Sequence, residues 1–516
     1  MPAVAEHQLH DRSGRPPLRS LAFDLALGAI AALGQAPWNL WFLTVAALAV
    51  LCHRIARARS PRAAAWHALI AGLGQFAVAM SWIVEPFLVE PDRYGWMAPF
   101  ALIFMAAGGA IFWAVPGWLS ARLAPGFARQ AAAFAALMVL SDWLRGWIFT
   151  GLPWALSGHI WIETPAGQIA ATFGALGLSA LTMLAACLPV LFWRSSPPLR
   201  AALPGAVLSL LVIATAWTAG LARLSQPLPP DTDHHLRLIQ PNATQALKWD
   251  PYWSEIFFRR LMELSAARDT DRPAPDAVIW PETAVNFLLE QSGTAPQDIS
   301  TYVGSPVILG IQRVEGERYF NSLTEFSAQG IGPVYDKFHL VPFGEYTPWG
   351  DQLSRFGIRA FAAQHGFGYS PGHGPAVIRY GALPPVQPLI CYEAVFSRHL
   401  VAGPDRPGWL LQVTNDGWFG NLSGPWQHLA QARLRSIESG LPLMRAANTG
   451  ISAVIDARGG LRATLGLNLS GRIDAALPAA LPPTPWSRWG DWPAVIAALA
   501  CVICAALHRR LTARKG

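Results

Sequence analysis

The chain of 516 residues is 52% hydrophobic and only 14% charged, with a formal charge of +7. Soluble globular domains carry about a quarter of their residues as charged side chains, so this deficit excludes a wholly water-exposed protein and points to membrane segments. Nor does the basic surplus mark a nucleic-acid partner: acids and bases nearly balance between about 231 and 481, and the excess lies in short runs beside apolar stretches.

In chain order, eight stretches read as membrane spans: 21–35, 38–52, 66–84, 97–119, 131–148, 167–192, 203–221 and 492–507. A bilayer core of about 30 Å takes roughly 20 apolar residues as a helix. The first two are short and are separated only by Ala36-Pro37, which suits a tight helical hairpin. The N-terminus carries His and Arg without a small-residue cleavage pattern, so the first span is expected to remain as an anchor. Basic runs follow the spans: Arg12, Arg15 and Arg19; Arg54, Arg57, Arg59 and Arg62; Arg122 and Arg129; Arg194 and Arg200; Arg509, Arg510, Arg514 and Lys515. Lys and Arg resist translocation. Placing these runs in the cytoplasm leaves 85–92 and 150–165 outside and makes the large middle region extracytoplasmic.

Between about 235 and 476 the texture changes to short apolar runs (LRLIQ, AVIWP, SPVILGI, PLICYE, WLLQVTNDG, ISAVIDARG) alternating with amphipathic stretches at 252–267 and 426–439. Strands alternating with helices predict an α/β domain with buried sheets. Pro-rich flanks at 226–230 and 478–485 read as linkers. The expected organisation is a seven-helix membrane bundle over 1–225, a catalytic domain over 232–478, and a last membrane helix with a basic tail over 488–516.

Of the five cysteines only Cys391 lies in the polar middle region, so that region holds no disulfide of its own. Cys501 and Cys504 have CxxC spacing, but they sit in an apolar span without partner ligands and read as small membrane-helix residues. Cys391 ends an apolar run, which puts a thiol at a sheet edge where loops build sites. A lone thiol is more often buried and structural. Two other run ends shift the balance. Ile279-Trp280-Pro281-Glu282 closes on a carboxylate, and Tyr335-Asp336-Lys337 puts an ammonium ahead of the loop VPFGEYTPWG. A thiol needs a base, a carboxylate can serve as one, and an ammonium can hold the oxyanion of a tetrahedral intermediate.

These three segments, in this order, resemble the Glu-Lys-Cys triad of the nitrilase superfamily. With membrane segments on both flanks the chain more narrowly resembles the bacterial apolipoprotein N-acyltransferases. The resemblance runs almost the whole length, through GLPWALSGH, LIQPNATQALKWDP, IWPETAV, YDKFHLVPFGEYTP, LICYE, NDGWFG, GPWQH and RAANTGISAVID. It implies an αββα sandwich and a thioester enzyme with no cofactor. Glu282 resembles the general base, Lys337 the oxyanion stabiliser and Cys391 the nucleophile. Glu345 resembles the glutamate that positions the lysine, Glu393 an organiser of the nucleophile's turn, and Tyr392 a substrate contact. Trp249, Trp418 and Phe419 match aromatics at the family's lipid-facing mouth, with plain packing as the competing reading. Two departures, Asn286 after Val285 and Pro241 after LIQ, concern loop shape and leave the triad untouched.

The resemblance further implies a phospholipid donor, a diacylglyceryl apolipoprotein acceptor and a monomer in the membrane. His339, His365 and His428 show no ligand spacing, so no metal site is expected. Arg433, Arg435 and Arg445 are left as candidates for structural ion pairs. Three rivals stay open: a membrane-tethered amidase, a lipoprotein-binding module, and a transporter. The last needs ionisable residues at mid-membrane, whereas Asp142 and Arg145 lie near one span's end.

Overall fold

The computed structural model describes residues 15–192, 201–268, 274–348 and 368–513. His365, Arg12, Arg194, Arg200, Arg514 and Lys515 lie outside the described residues.

The N-terminal part is helical: α1 (Leu18–Ala32), α2 (Trp41–Ala56), α3 (Pro61–Ala79), the short α4 (Pro91–Tyr94), α5 (Ala98–Leu123), α6 (Phe127–Arg145), α7 (Ala170–Phe192) and α8 (Leu203–Leu224). α1 and α2 form the expected hairpin around Ala36-Pro37. Small residues set the packing: a Cβ on Gly28 would fall 1.8 Å from the Ala71 carbonyl oxygen, so α1 and α3 touch backbone to backbone. Phe100, Ile103, Phe104, Ile111, Leu210 and Leu211 point outward, an apolar surface suited to lipid.

Each predicted span falls on a helix, but the count of eight does not follow from length and hydropathy. Among the described residues three segments are long and apolar enough, Pro91–Leu123, Pro165–Phe192 and Leu203–Leu224. A fourth is gained if Pro61–Ala79 and Ser81–Leu88, bent by 47°, make one span. α1 and α2 have only 15 and 16 residues, and α6 carries Gln130, Asp142 and Arg145 on its buried side.

The middle of the chain builds two sheets. The first has strand order β12-β1-β2-β3-β4-β5, with β6 also on β4; the second has order β11-β10-β9-β8-β7. The strands are β1 (His235–Gln240), β2 (Ala277–Ile279), β3 (Val307–Glu315), β4 (Arg318–Ser327), β5 (Gly330–Ile331), β6 (Tyr335–Asp336), β7 (Val386–Ile390), β8 (Trp409–Thr414), β9 (Leu443–Ala447), β10 (Ser452–Ile455), β11 (Leu461–Leu465) and β12 (Gly471–Ala476). β1, β2 and β3 run parallel, as do β7, β8 and β9.

Because successive strand residues face opposite ways, the apolar runs split between two cores. Leu236, Leu238, Ile279 and Ile308 meet Val386, Ile390, Leu411, Val413 and Met444 between the sheets. Ile239, Val278, Val307 and Leu309 face outward onto α9 (Pro251–Ala266) and α10 (Ala295–Val303). On the other side Leu389, Leu410 and Leu443 pack on Leu429 and Ala432 of α11 (Gly424–Ser439). The result is four layers, helix, sheet, sheet, helix. α11 is buried on both faces, because Ala430, Leu434 and Ile437 pack against Leu156, Trp161 and Ala171 of the membrane part. The chain ends in α12 (Pro485–Trp489) and α13 (Trp492–Ala513), the latter packed on α6 and α7.

Candidate active site

Parallel strands bring their C-terminal ends to one edge of a sheet, and the candidate residues follow such ends. Glu282 comes three residues after β2, Cys391 immediately after β7, and Asn415 immediately after β8. Lys337 directly follows β6. Cys391 sits at φ +49° and Thr283, beside Glu282, at φ +45°. Such left-handed backbone at non-glycine residues is strained, and it persists only where the surroundings over-determine it. Gly310 on β3 makes room here, since a Cβ there would lie 2.6 Å from the Glu282 Cα.

Glu282, Lys337, Glu345 and Cys391 are all buried and converge. Lys337 Nζ donates to Glu345 Oε1 at 2.8 Å and lies 3.5 Å from Glu282 Oε1. Asn321 Nδ2 donates to both carboxylates, at 2.7 Å to Glu282 and 3.1 Å to Glu345. The Asn415 N–H bonds the other oxygen of Glu282 at 2.8 Å, and the Val341 N–H the other oxygen of Glu345 at 2.9 Å. Burial opposes the charge on Lys337, but Glu345 and Glu282 outweigh it and hold the ammonium well above its usual range. The Cys391 thiol is pushed up by burial and then by the Glu282 charge, against the pull of Lys337 and a bond with Thr414. At rest Cys391 is therefore a thiol, beside the Glu282 carboxylate and the Lys337 ammonium.

Glu393 holds the turn. Its carboxylate accepts from the Ile390, Phe338 and His339 N–H groups and from Tyr335 Oη, so it ties the Cys391 and Lys337 segments together. Burial pushes it up to about 7, against those donors. Tyr392 Oη donates to the Gly151 carbonyl at 3.2 Å, a direct bond between the neighbour of Cys391 and the helical N-terminal part. Arg398 donates to the Gly146 and Thr150 carbonyls beside it.

The three aromatic candidates separate. Phe419 packs edge-on against Trp82 and near Trp154, both from the helical part. Trp418 is half-buried against the same core. Trp249 lies over Lys248, 5.5 Å from its ammonium, beside a cavity of about 20 Å³ that Asn286 and Asn448 also line. His339 stacks with Phe396 and His399. All three arginines are ion-paired: Arg433 with Glu163, Arg435 with Glu438 and Arg445 with Asp416. Asp142 and Arg145 pair with each other.

Sequence reasoning missed Asn321 and Asn415, which orient the carboxylates, and Lys248, whose Nζ bonds the Glu282 carbonyl and Thr283 Oγ1. Burial lowers Lys248 to about 8. Asn415 was open to detection, since the run WLLQVTNDG stops on it as the other runs stop on Glu282 and Cys391. Asn321 lies inside β4 and had no such signal.

Residues 27–188 match the apolipoprotein N-acyltransferase N-terminal domain, and residues 265–481 match the carbon-nitrogen hydrolase family. Similar curated proteins include an apolipoprotein N-acyltransferase of Caulobacter vibrioides, 38% identical over 490 residues and covering 91% of each chain. One of Bradyrhizobium diazoefficiens is 37% identical, covering 95% of each chain. One of Rhodopseudomonas palustris is 34% identical, covering 94% of each. With a nitrilase-type sandwich on a helical membrane part, and relatives matched over nearly their full length, the chain belongs to the apolipoprotein N-acyltransferase family.

Proposed function

We propose that the chain moves an acyl group from a phospholipid, through a thioester on Cys391, to the α-amine of the N-terminal diacylglyceryl-cysteine of an apolipoprotein. Glu282 takes the Cys391 proton as Sγ attacks the donor ester carbonyl. Lys337 and the Tyr392 N–H receive the oxyanion. The C–O bond breaks, Glu282 returns the proton to the departing lysophospholipid, and the thioester remains. In the second half the acceptor amine attacks, Glu282 takes its proton, and as the C–S bond breaks Glu282 passes that proton to Sγ, which restores the Cys391 thiol for the next cycle.

The observation that carries this reading is the buried convergence of Glu282, Lys337, Glu345 and Cys391 at an edge bonded directly to the membrane part through Tyr392 and Gly151. A lipid donor gives that contact a purpose: each CH₂ drawn into water costs about 0.8 kcal/mol, so the nucleophile belongs at the bilayer surface. In the same proposal the chain crosses the membrane eight times as a monomer, with 232–478 as a periplasmic catalytic domain between the bundle of 1–225 and the last helix of 488–516. Trp249, Trp418 and Phe419 line the lipid side of the site.

The test is transfer from phospholipid vesicles to a diacylglyceryl lipopeptide by the purified protein. N-acylated peptide and lysophospholipid should appear together. Lys337→Met should slow the reaction about 10²- to 10³-fold, the usual loss for one oxyanion donor. Acylation by Cys391→Ala would sink the assignment. Hydrolysis of small amides without phospholipid would favour the amidase reading instead.

A further inference from the structure

Around the Cys391 carbonyl lies a buried polar network that the mechanism above does not use. Gln412 on β8, His428 on α11, Arg445 on β9 and Asp416 are all buried to 1% exposure or less. Arg445 Nη2 donates to Asp416 Oδ2 at 2.5 Å, and its Nη1 donates to Gln412 Oε1 at 2.5 Å. That second bond fixes which end of the Gln412 amide is which. Its Nε2 then lies 3.2 Å from the Cys391 carbonyl oxygen and 3.0 Å from His428 Nε2. His428 Nδ1 faces Asp416 Oδ1 at 2.9 Å. Burial and Arg445 hold the ring toward its neutral form. With Nδ1 on Asp416, the ring brings its Nε2 to 3.1 Å from the same Cys391 carbonyl oxygen, beside the Gln412 amide. The Gln412 amide and His428 Nε2 thus converge on the Cys391 carbonyl from within the buried network.

The carbonyl of Cys391 and the N–H of Tyr392 belong to one peptide unit and point to opposite sides of it. Hydrogen bonds in series strengthen one another in a low-dielectric interior. We propose that Gln412 is a positioning residue for the acyl-transfer chemistry. By donating to the Cys391 carbonyl it polarises that peptide, so that the Tyr392 N–H on its far side binds the substrate oxyanion more strongly. Asp416, His428 and Arg445 hold its amide in the one orientation that does this. The inference rests on the thioester reading above.

A network that merely braced the strained turn at Cys391 would affect every reaction of the thiol. Polarisation affects only reactions that build charge on a carbonyl oxygen. Alkylation by iodoacetamide builds none there and serves as the control. An oxyanion donor is worth about 10²–10³ in rate, and one bond in series changes its neighbour by roughly 10–30%. Gln412→Met keeps the chain length and loses the donor. It should slow thioester formation from phospholipid about two- to eightfold while leaving alkylation of Cys391 unchanged. His428→Phe keeps the ring shape and removes the Nε2 contacts with the Gln412 amide and the Cys391 carbonyl, and should shift the two rates in the same pattern.

Equal slowing of both reactions in either variant, or no slowing of thioester formation, would overturn the proposal. Failure of the unaltered protein to form a thioester would instead remove the reading on which it rests.

Discussion

A thiol buried as Cys391 is, beside a carboxylate, stays protonated in the resting enzyme, because burial and the Glu282 charge both disfavour the thiolate. In the proposed mechanism Glu282 therefore has two opposed effects: it suppresses spontaneous ionisation, and it accepts the proton when a substrate carbonyl arrives. Glu282→Gln separates them. Removing the negative charge lowers the thiol's pKa, so the pH profile of iodoacetamide alkylation should move to lower pH. Thioester formation should nonetheless fall about 10²- to 10⁴-fold, the usual loss of a general base. Parallel gains or parallel losses in the two rates would contradict the assignment. At this scale the sequence disclosed the residues that end apolar runs, Glu282, Cys391 and Lys337. It did not disclose Asn321, Gln412 or His428, whose roles arise from contacts between separate elements.

Among the elements, α11 and the loop before α7 join the two halves of the molecule. Trp154 donates its indole N–H to Gln427 Oε1 at 2.6 Å, and its ring lies against Trp82, Phe419 and His428. Gln427 in turn reaches the Ala36 carbonyl in the α1–α2 hairpin. Trp154→Ala should lower unfolding stability by about 3–5 kcal/mol, the usual range for a large buried aromatic. Thioester formation should fall with it, because the wall behind Phe419 and His428 is lost. Chemical denaturation followed by tryptophan fluorescence measures the first effect; an unchanged midpoint would show that the junction bears no load. The strands of continuous apolar character were legible, as were α9 and α11. β4 was not, because RYFNSLTEFS mixes polar and apolar residues on a strand buried along most of its length. Its polar side chains bond within the fold, Asn321 Nδ2 to Glu282 and Ser322 Oγ to Asp336.

For the whole molecule, the charge map is the ground for the proposal that the sandwich sits outside the cytoplasm. The β3–β4 turn at Gly316 is exposed and remote from the candidate site, which makes it a suitable place for a short epitope. In spheroplasts that epitope should bind antibody without permeabilisation, while one fused after Gly516 should need permeabilisation. The reverse pattern would contradict the proposed orientation. The bundle was legible as a set of apolar stretches, yet its number of crossings was not, because α1, α2 and α6 are stabilised by close packing and buried polar pairs rather than by length and hydropathy. Asp24 shows this, paired with Arg54 at 2.5 Å and with His67 at 2.7 Å across three helices.

The central claim, that a phospholipid acyl chain rests on Cys391 between donor and acceptor, has a direct measurement. Purified protein is mixed with phospholipid alone, quenched in acid, digested and weighed by mass spectrometry. The peptide containing Cys391 should carry one acyl chain, labile to neutral hydroxylamine and lost on adding a diacylglyceryl lipopeptide. An unmodified Cys391, or an adduct that the acceptor does not discharge, would contradict the account.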